Sequence, residues 1–311
     1  MKTAVIALGG NALLQSGEQG TIKQQEKNAY KTCADLVKLL KNKYRLVITH
    51  GNGPQVGNIL LRNMAGFEKF NIPQMPLDVC VADSQGGIGY MIERQLKNIL
   101  NKEKINKNII TLITQVLVNK KDPAFSSPSK PIGPFYTEEN KEKLKKEFGW
   151  QFINDEKRGG WRRLVASPAP IEFLNQKIIK DLFLKGNVVI ASGGGGIPIY
   201  KDKKNNLCGV EAVVDKDLAS AQLASKIGAK ILYIITDVPK VYINFNKPNQ
   251  KELNQISLKT AQKYYKQGEF GRGSMGPKIL AAINFIKSGG QEVIISDSIS
   301  LDKNKGTRIV K

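Results

Sequence analysis

Two lysines, Lys216 in "VVDKDLAS" and Lys278 in "GSMGPKIL", stand where a helix begins, and Asp217 follows the first of them directly. A cation in a first turn meets the positive end of the helix dipole and loses several tenths of a kcal/mol unless an anion lies between them. A bound phosphate reverses that sign. Asp217 is a favourable first-turn acid and also a candidate to hold both ammonium groups in place. Glycine loops provide the complementary half of such a site: Gly9, Gly10 and Asn11 in "IALGGNAL", Gly51, Asn52 and Gly53 in "ITHGNGPQVGN", and Gly193 to Gly196 in "ASGGGGIPIY". Each follows an apolar run, so free backbone N–H groups and helix N-termini gather where oxyanions bind. Pro54 suits the opening of a helix after Gly53. Cations beside N–H-rich loops suit a phosphate-binding site.

What the chain lacks narrows the chemistry. In "GNGPQVG" the third glycine, Gly57, comes one residue late for the dinucleotide fingerprint, and no G-x-x-x-x-G-K-[ST] loop occurs. His50 is the single histidine, which excludes a multi-histidine metal site and argues against Ser-His or Cys-His nucleophilic machinery. It is read as a loop-positioning group. Cys33, Cys80 and Cys208 are far apart and lack metal-ligand spacing, as free structural thiols in a reducing cytosol would be. The net charge of +21 invites a nucleic-acid reading. The basic runs, however, are scattered among Asn and Glu without interleaved stacking aromatics, so no nucleic-acid partner is expected. "MKTAVIALGGNALL" begins like a secretory signal, but Gly9, Gly10 and Asn11 break the run and no cleavage site follows. No stretch of about eighteen apolar residues could span a bilayer. A cytoplasmic protein without membrane contact is the expectation.

The elements that must position these residues follow from periodicity. Apolar runs at 3–8, 44–50, 187–192, 229–236 and 291–296 read as buried parallel strands. Helical periodicity marks 26–42, 83–100, 172–185, 216–227 and 276–288, with Pro277 at the first helical position of the last. Strands alternating with helices predict an α/β fold whose parallel sheet is covered on both faces, with ligands beyond the carboxyl ends of the strands. Residues 119–167 are rich in Pro, Lys and Gly and interrupt that rhythm. They are expected to form an inserted lid subdomain within a single domain spanning 1–311.

Read in order, "ALGGNAL", "HGNGPQVGN", "SQGGIGYMI", "SKPIGPFY", "GGWRRLVASPAP", "SGGGGIP", "VEAVVDKDLAS", "TDVPKVYIN" and "GSMGPK" cover nearly the whole chain. In this order they resemble the carbamate kinases of the amino-acid kinase family. The resemblance implies a three-layer αβα sandwich, a homodimer, and magnesium-dependent phosphoryl exchange between ATP and carbamate. It also implies that Gly9, Gly10, Asn11, Gly51, Asn52 and Gly53 surround carbamoyl phosphate and the phosphoryl group in flight. Lys216 and Lys278 match the catalytic lysines, Asp217 the aspartate that organises them, and Lys130 a lid lysine reaching the substrate. Asp237, Val238, Tyr242 and Met275 fall where such proteins hold adenosine. Gly194 and Gly195 lie on the nucleotide side, where a Cβ would intrude on bound ADP or ATP. Magnesium is expected to be bridged by phosphates, with no ligand assigned among protein side chains.

Two positions depart from the pattern: Asp83 precedes "SQG" in place of an uncharged residue, and Asn175 stands in place of a Glu. Both bear on packing and subunit contacts rather than chemistry. The resemblance further implies ATP formation from ADP and carbamoyl phosphate in arginine breakdown through citrulline, with allantoin or purine breakdown as the other settings. The alternatives are another small-acid or nucleotide kinase of the same fold, acting on acetylglutamate or UMP, and a catalytically silent ligand sensor. Intact Lys216, Asp217 and Lys278 speak against the sensor.

Overall fold

The computed structural model describes residues 2–15, 17–155, 159–271, 275–299 and 305–311. The strand Thr3–Leu8 occupies the middle of an eight-stranded sheet because its residues from Ala4 to Leu8 are all apolar and all buried. It pairs in parallel with Arg45–His50 on one side and Ile231–Ile235 on the other. Beyond these, Val188–Ile190 and Ile109–Thr111 extend the parallel set at one end, and Glu292–Ser296 at the other. Two short edge strands, Thr307–Val310 and Gln255–Ser257, run the opposite way.

Alternation along each strand splits the core in two. Val5, Val47, Val189, Leu232 and Val293 point to one face, against α6 (Lys216–Ile227) and α8 (Met275–Lys287). Ile6, Leu46, Ile48, Tyr233 and Ile294 point to the other, against α1 (Ile22–Lys41) and α3 (Leu77–Lys102). Helix, sheet and helix therefore form three layers, as the alternating pattern predicts. Each fully buried Leu, Ile or Val contributes about 1.5–3 kcal/mol, so this double core fixes the strand ends that carry the glycine loops.

Several boundaries differ from expectation, beginning with α1, which starts at Ile22 rather than at 26 because Thr21 and Gln24 form a capping box there. The helix expected at 172–185 begins only at Gln176, because Pro170–Phe173 is a strand of a separate four-stranded sheet with Gln115–Val118, Ile197–Lys201 and Leu207–Gly209. Its four residues fit either period, and pairing with Gln115–Val118 decides. Helix α3 starts six residues before the expected 83, and Pro76 precedes it as N-cap. Pro277 is the third residue of α8 rather than the first, since that helix begins at Met275. A missing N–H is still harmless there, because the first-turn donors have no intrahelical partner.

Within 119–167 the chain builds a three-stranded antiparallel sheet of Lys130–Tyr136, Gly160–Val165 and Gln151–Asp155, together with the helix Glu138–Phe148. This sheet rests on α2 (Gly53–Phe70), where Leu61 and Met64 pack with Tyr136, Leu144, Trp150 and Trp161. The approach is close enough that a Cβ on Gly57 would lie 1.9 Å from the Cα of Gly133. The glycine that arrives too late for a dinucleotide fingerprint is required by this docking.

Candidate active site

Lys216 is the first residue of α6, and Asp215 is its N-cap, accepting from the N–H groups of Asp217 at 2.9 Å and Leu218 at 3.2 Å. That cap sets the helix start, and the start places Lys216 and Asp217 at the carboxyl edge of the sheet. Ser220 donates to the carbonyl of Lys216 at 2.5 Å, so the hydroxyl hydrogen between Thr49 and Ser220, 2.6 Å apart, belongs to Thr49. The strand Arg45–His50 is thereby tied to the turn of α6 that carries the lysine. Gly51 completes the contact, because a Cβ there would sit 3.3 Å from Cδ of Lys216.

Asp217 is 2% exposed and bridges both lysines: Nζ of Lys216 lies 2.5 Å from Oδ1, and Nζ of Lys278 lies 3.1 Å from Oδ2. Burial alone would raise its pKa, but the ammonium groups of Lys216 and Lys278 outweigh burial and hold the carboxyl far below the usual range. Lys216 is pushed down by burial and by the neighbouring Lys278 charge, against the pull of Asp217. In Lys278 burial also opposes the charged form, yet Asp217, with smaller contributions from Asp215 and Asp237, carries its pKa above the ordinary lysine value. From the outlying sheet, Lys130 reaches Asp215 at 2.5 Å. Three ammonium groups against two carboxylates leave this cluster one net positive charge, a setting suited to a phosphate group.

The glycine loops divide into two kinds. Gly9 is needed by the chain itself, since a Cβ would meet the carbonyl oxygen of Ile235 at 2.5 Å. Gly194 and Gly195 are of the same kind: a Cβ would lie 2.3 Å from Nδ2 of Asn52 in the first and 2.4 Å from the carbonyl oxygen of Val214 in the second. Their φ values of +63° and +91° also favour glycine. Room for the protein's own backbone and side chains is therefore already a sufficient reason for glycine at these two positions. Gly10 and Gly53, by contrast, face open space within 4 Å. The helix α2 opens beside Gly53 without a side-chain cap, which leaves backbone donors for an anion.

Asn52 is buried and donates to Oγ of Ser84 at 2.9 Å, so its side chain braces the loop against α3. The side chain of Asn11 lies outside the described residues, as do Gly273 and Ser274 of "GSMGPK". Asp237, Val238 and Tyr242 follow the strand Ile231–Ile235, and Met275 opens α8 three residues before Lys278. Of these, Asp237 is near enough to influence Lys278 electrostatically. Tyr242 packs its ring against Phe245 at 6.1 Å, and Met275 packs against the core. No metal-binding group of three His, Cys, Asp or Glu occurs among the described residues.

Sequence reasoning missed Asp215 and Gln85. The first reads merely as a helix start. Gln85 is buried; its Nε2 donates to the carbonyls of Thr114 at 3.1 Å and Gly193 at 2.9 Å, while Oε1 accepts from Thr114 N–H at 2.8 Å. A glutamine followed by two glycines on an apolar-periodic helix offered a signal, but its loop partners are 29 and 108 residues away.

His50 donates from Nδ1 to the Gly51 carbonyl at 2.9 Å, and a Cβ on Gly193 would meet its ring at 2.5 Å. Burial lowers its pKa to about 4, and the Lys216 charge adds to that. It is neutral at physiological pH. Because the unfolded chain takes up the proton near pH 6.5, the native state loses stability as pH falls from about 6.5 towards 4, by about 3 kcal/mol in total. Urea unfolding at pH 7 and pH 5 is expected to show about 2 kcal/mol less of this decline in His50→Gln than in the wild type. Equal declines in the two proteins would rule out a buried neutral histidine.

The amino acid kinase family pattern matches residues 2–297. A carbamate kinase of Thermococcus kodakarensis is 48% identical, with all of both chains covered, and one of Pyrococcus horikoshii is 49% identical over 94% of this chain and 92% of that protein. The solved structure of the Giardia lamblia carbamate kinase bound to AMP-PNP superposes with a TM-score of 0.90 at 42% identity, covering 100% of this chain and 98% of that one. A buried Lys–Asp–Lys cluster beneath glycine loops, together with similarity along the full length, means that the chain belongs to the amino acid kinase family, and within it to the carbamate kinases.

Proposed function

We propose that the protein transfers a phosphoryl group reversibly between ATP and carbamate, and that it works mainly towards ATP from ADP and carbamoyl phosphate. The observation that carries this reading is Asp217 bridging the buried ammonium groups of Lys216 and Lys278 beside Gly51. A β-phosphate oxygen of ADP attacks the phosphorus of carbamoyl phosphate in line, the bond to the carbamate oxygen breaks, and carbamate leaves as an anion. Charge spreading over the equatorial oxygens meets Lys216, Lys278 and the backbone N–H groups of the Gly10 and Gly53 loops. Carbamate is already anionic, so the reverse attack needs no general base. His50, neutral and turned to Gly51, orders the loop rather than moving a proton.

In this reading Gly9, Gly10, Gly51, Asn52 and Gly53 shape the carbamoyl phosphate side, with Asn11 beside them. Asp237, Val238, Tyr242 and Met275 border the adenosine. Gly194 and Gly195 act on the nucleotide side indirectly, by keeping Asn52 and Val214 in place. Residues 119–167 form a lid subdomain within the single domain, and Lys130 brings a third ammonium group to the substrate. Magnesium fits as a passenger of the nucleotide, since that ion retains water and phosphate ligands and uses few carboxylates. When bound, it neutralises phosphate charge. An unstable acyl phosphate suits a catabolic source of ATP, and the resemblance to carbamate kinases points to arginine breakdown in the cytoplasm as its setting.

The active species is a homodimer. On α3, Val79 and Tyr90 are exposed, Gly86 and Gly87 face open space, and the unusual Asp83 lies on the same exposed face, opposite the site-facing Ser84 and Gln85. Light scattering is expected to give twice the chain mass of 34.3 kDa; a single-chain mass at micromolar concentration would contradict the dimer. A panel of phosphoryl acceptors tests the reaction itself. Carbamate should be phosphorylated, and acetylglutamate and UMP should not; preferential use of either would move the protein to another branch of the fold.

A further inference from the structure

The stretch "VEAVVDKD" carries Asp215, Lys216 and Asp217, yet none of the steps above uses its glutamate. Glu211 lies between the strand Leu207–Gly209 and α6. Its Oε1 accepts from the N–H of Leu77 at 2.8 Å, and its Oε2 lies 3.4 Å from Nη2 of Arg163. The first contact caps α3, whose own N-cap, Pro76, makes no side-chain cap bond. The second reaches the lid strand Gly160–Val165, where the Arg163 guanidinium lies 3.7 Å from the centre of the Trp150 ring.

One carboxylate therefore joins the lid to the helix whose Ser84 and Gln85 hold Asn52 and Gly193. The Lys130–Asp215 pair makes a second strut from the same lid to the same segment, four residues further along. Between the struts, Val213 N–H donates to the carbonyl of Ala166 at 3.0 Å. The lid is held at both ends of a segment that leads directly into Lys216. Slack at the Glu211 end would let the sheet tilt about the Lys130 end.

We infer that Glu211 is a positioning residue for the reaction, fixing the lid through Arg163 and so setting where Lys130 stands relative to carbamoyl phosphate. The inference rests on the reading of Lys130 as a lid lysine. The Glu211 side chain is 57% exposed, and pairs of that exposure contribute little to global stability. Its charge acts on placement rather than on folding.

Glu211→Gln keeps an amide oxygen for Leu77 and discards the ion pair. KM for carbamoyl phosphate is expected to rise about three- to fivefold, with KM for ADP unchanged. Amide hydrogen exchange in 160–165 of the unliganded full-length protein should accelerate. Arg163→Gln should act alike, and the double variant should be no worse than the more affected single one. An unchanged KM for carbamoyl phosphate with unchanged lid exchange would overturn the inference, as would a parallel rise in both KM values, which marks general loosening. The exchange readout needs no turnover. If the wild type failed to use carbamoyl phosphate while Glu211→Gln still loosened the lid, the kinase reading would fall and the Glu211 contact would stand.

Discussion

Replacing Asp217 with asparagine is expected to lower kcat by about a hundred- to a thousandfold and to remove about 3–5 kcal/mol of stability. Both effects have one origin. Two ammonium groups share this carboxylate at 2.5 and 3.1 Å in a buried site, and an amide leaves them facing each other with only the weaker influence of Asp215 and Asp237 as counter-charge. Burial and the Lys278 charge already push Lys216 towards its neutral form, with Asp217 as the main opposing influence. In the variant Lys216 therefore loses its proton at lower pH, and the alkaline limb of the activity profile moves down. Steady-state rates across pH, with urea unfolding of both proteins, measure the two effects. A variant with wild-type kcat and an unshifted alkaline limb would remove Asp217 from its organising role.

The second large effect is expected from Lys278→Ala. Turnover should fall by about a hundred- to a thousandfold while both KM values change no more than about threefold, the signature of a group that acts on charge developing in the transition state. The local net charge drops from one positive to zero, but Asp217 keeps Lys216 as its partner. Stability should accordingly suffer less than in Asp217→Asn. A rise in KM for either substrate with kcat preserved would instead make Lys278 a ground-state binding group.

The parts of this site legible in the sequence are those whose signal is local. A lysine in a first turn, an adjacent aspartate and a glycine loop after an apolar strand each carry meaning within a few residues, so Lys216, Asp217, Lys278 and the loops at Gly9 and Gly51 could be singled out. The central strands were legible for the same reason, being short apolar runs buried on both faces. Long-range partners were not. Asp215 binds Lys130 across 85 positions and Gln85 binds Gly193 across 108, and no periodicity encodes such a pairing. The run Gly193–Gly196 is conspicuous in the sequence, but its neighbours within the protein are not. A glycine pattern shows that something comes close, and only the fold reveals that the close neighbours are His50, Asn52, Val214 and Val116. The helix start at Gln176 and the strand Pro170–Phe173 were hidden because four apolar-rich residues fit either period until a partner strand is present.

In the proposed reaction Lys216, Asp217 and Lys278 form the phosphoryl-transfer site for carbamoyl phosphate. The most direct test is a coupled assay of ATP formation from ADP and carbamoyl phosphate with magnesium present, run on the wild type and on Lys278→Ala side by side. Rapid ATP formation is expected from the wild type, and a rate lower by at least about a hundredfold from the variant. ATP formation at equal rates in both, or none in the wild type, would contradict that assignment.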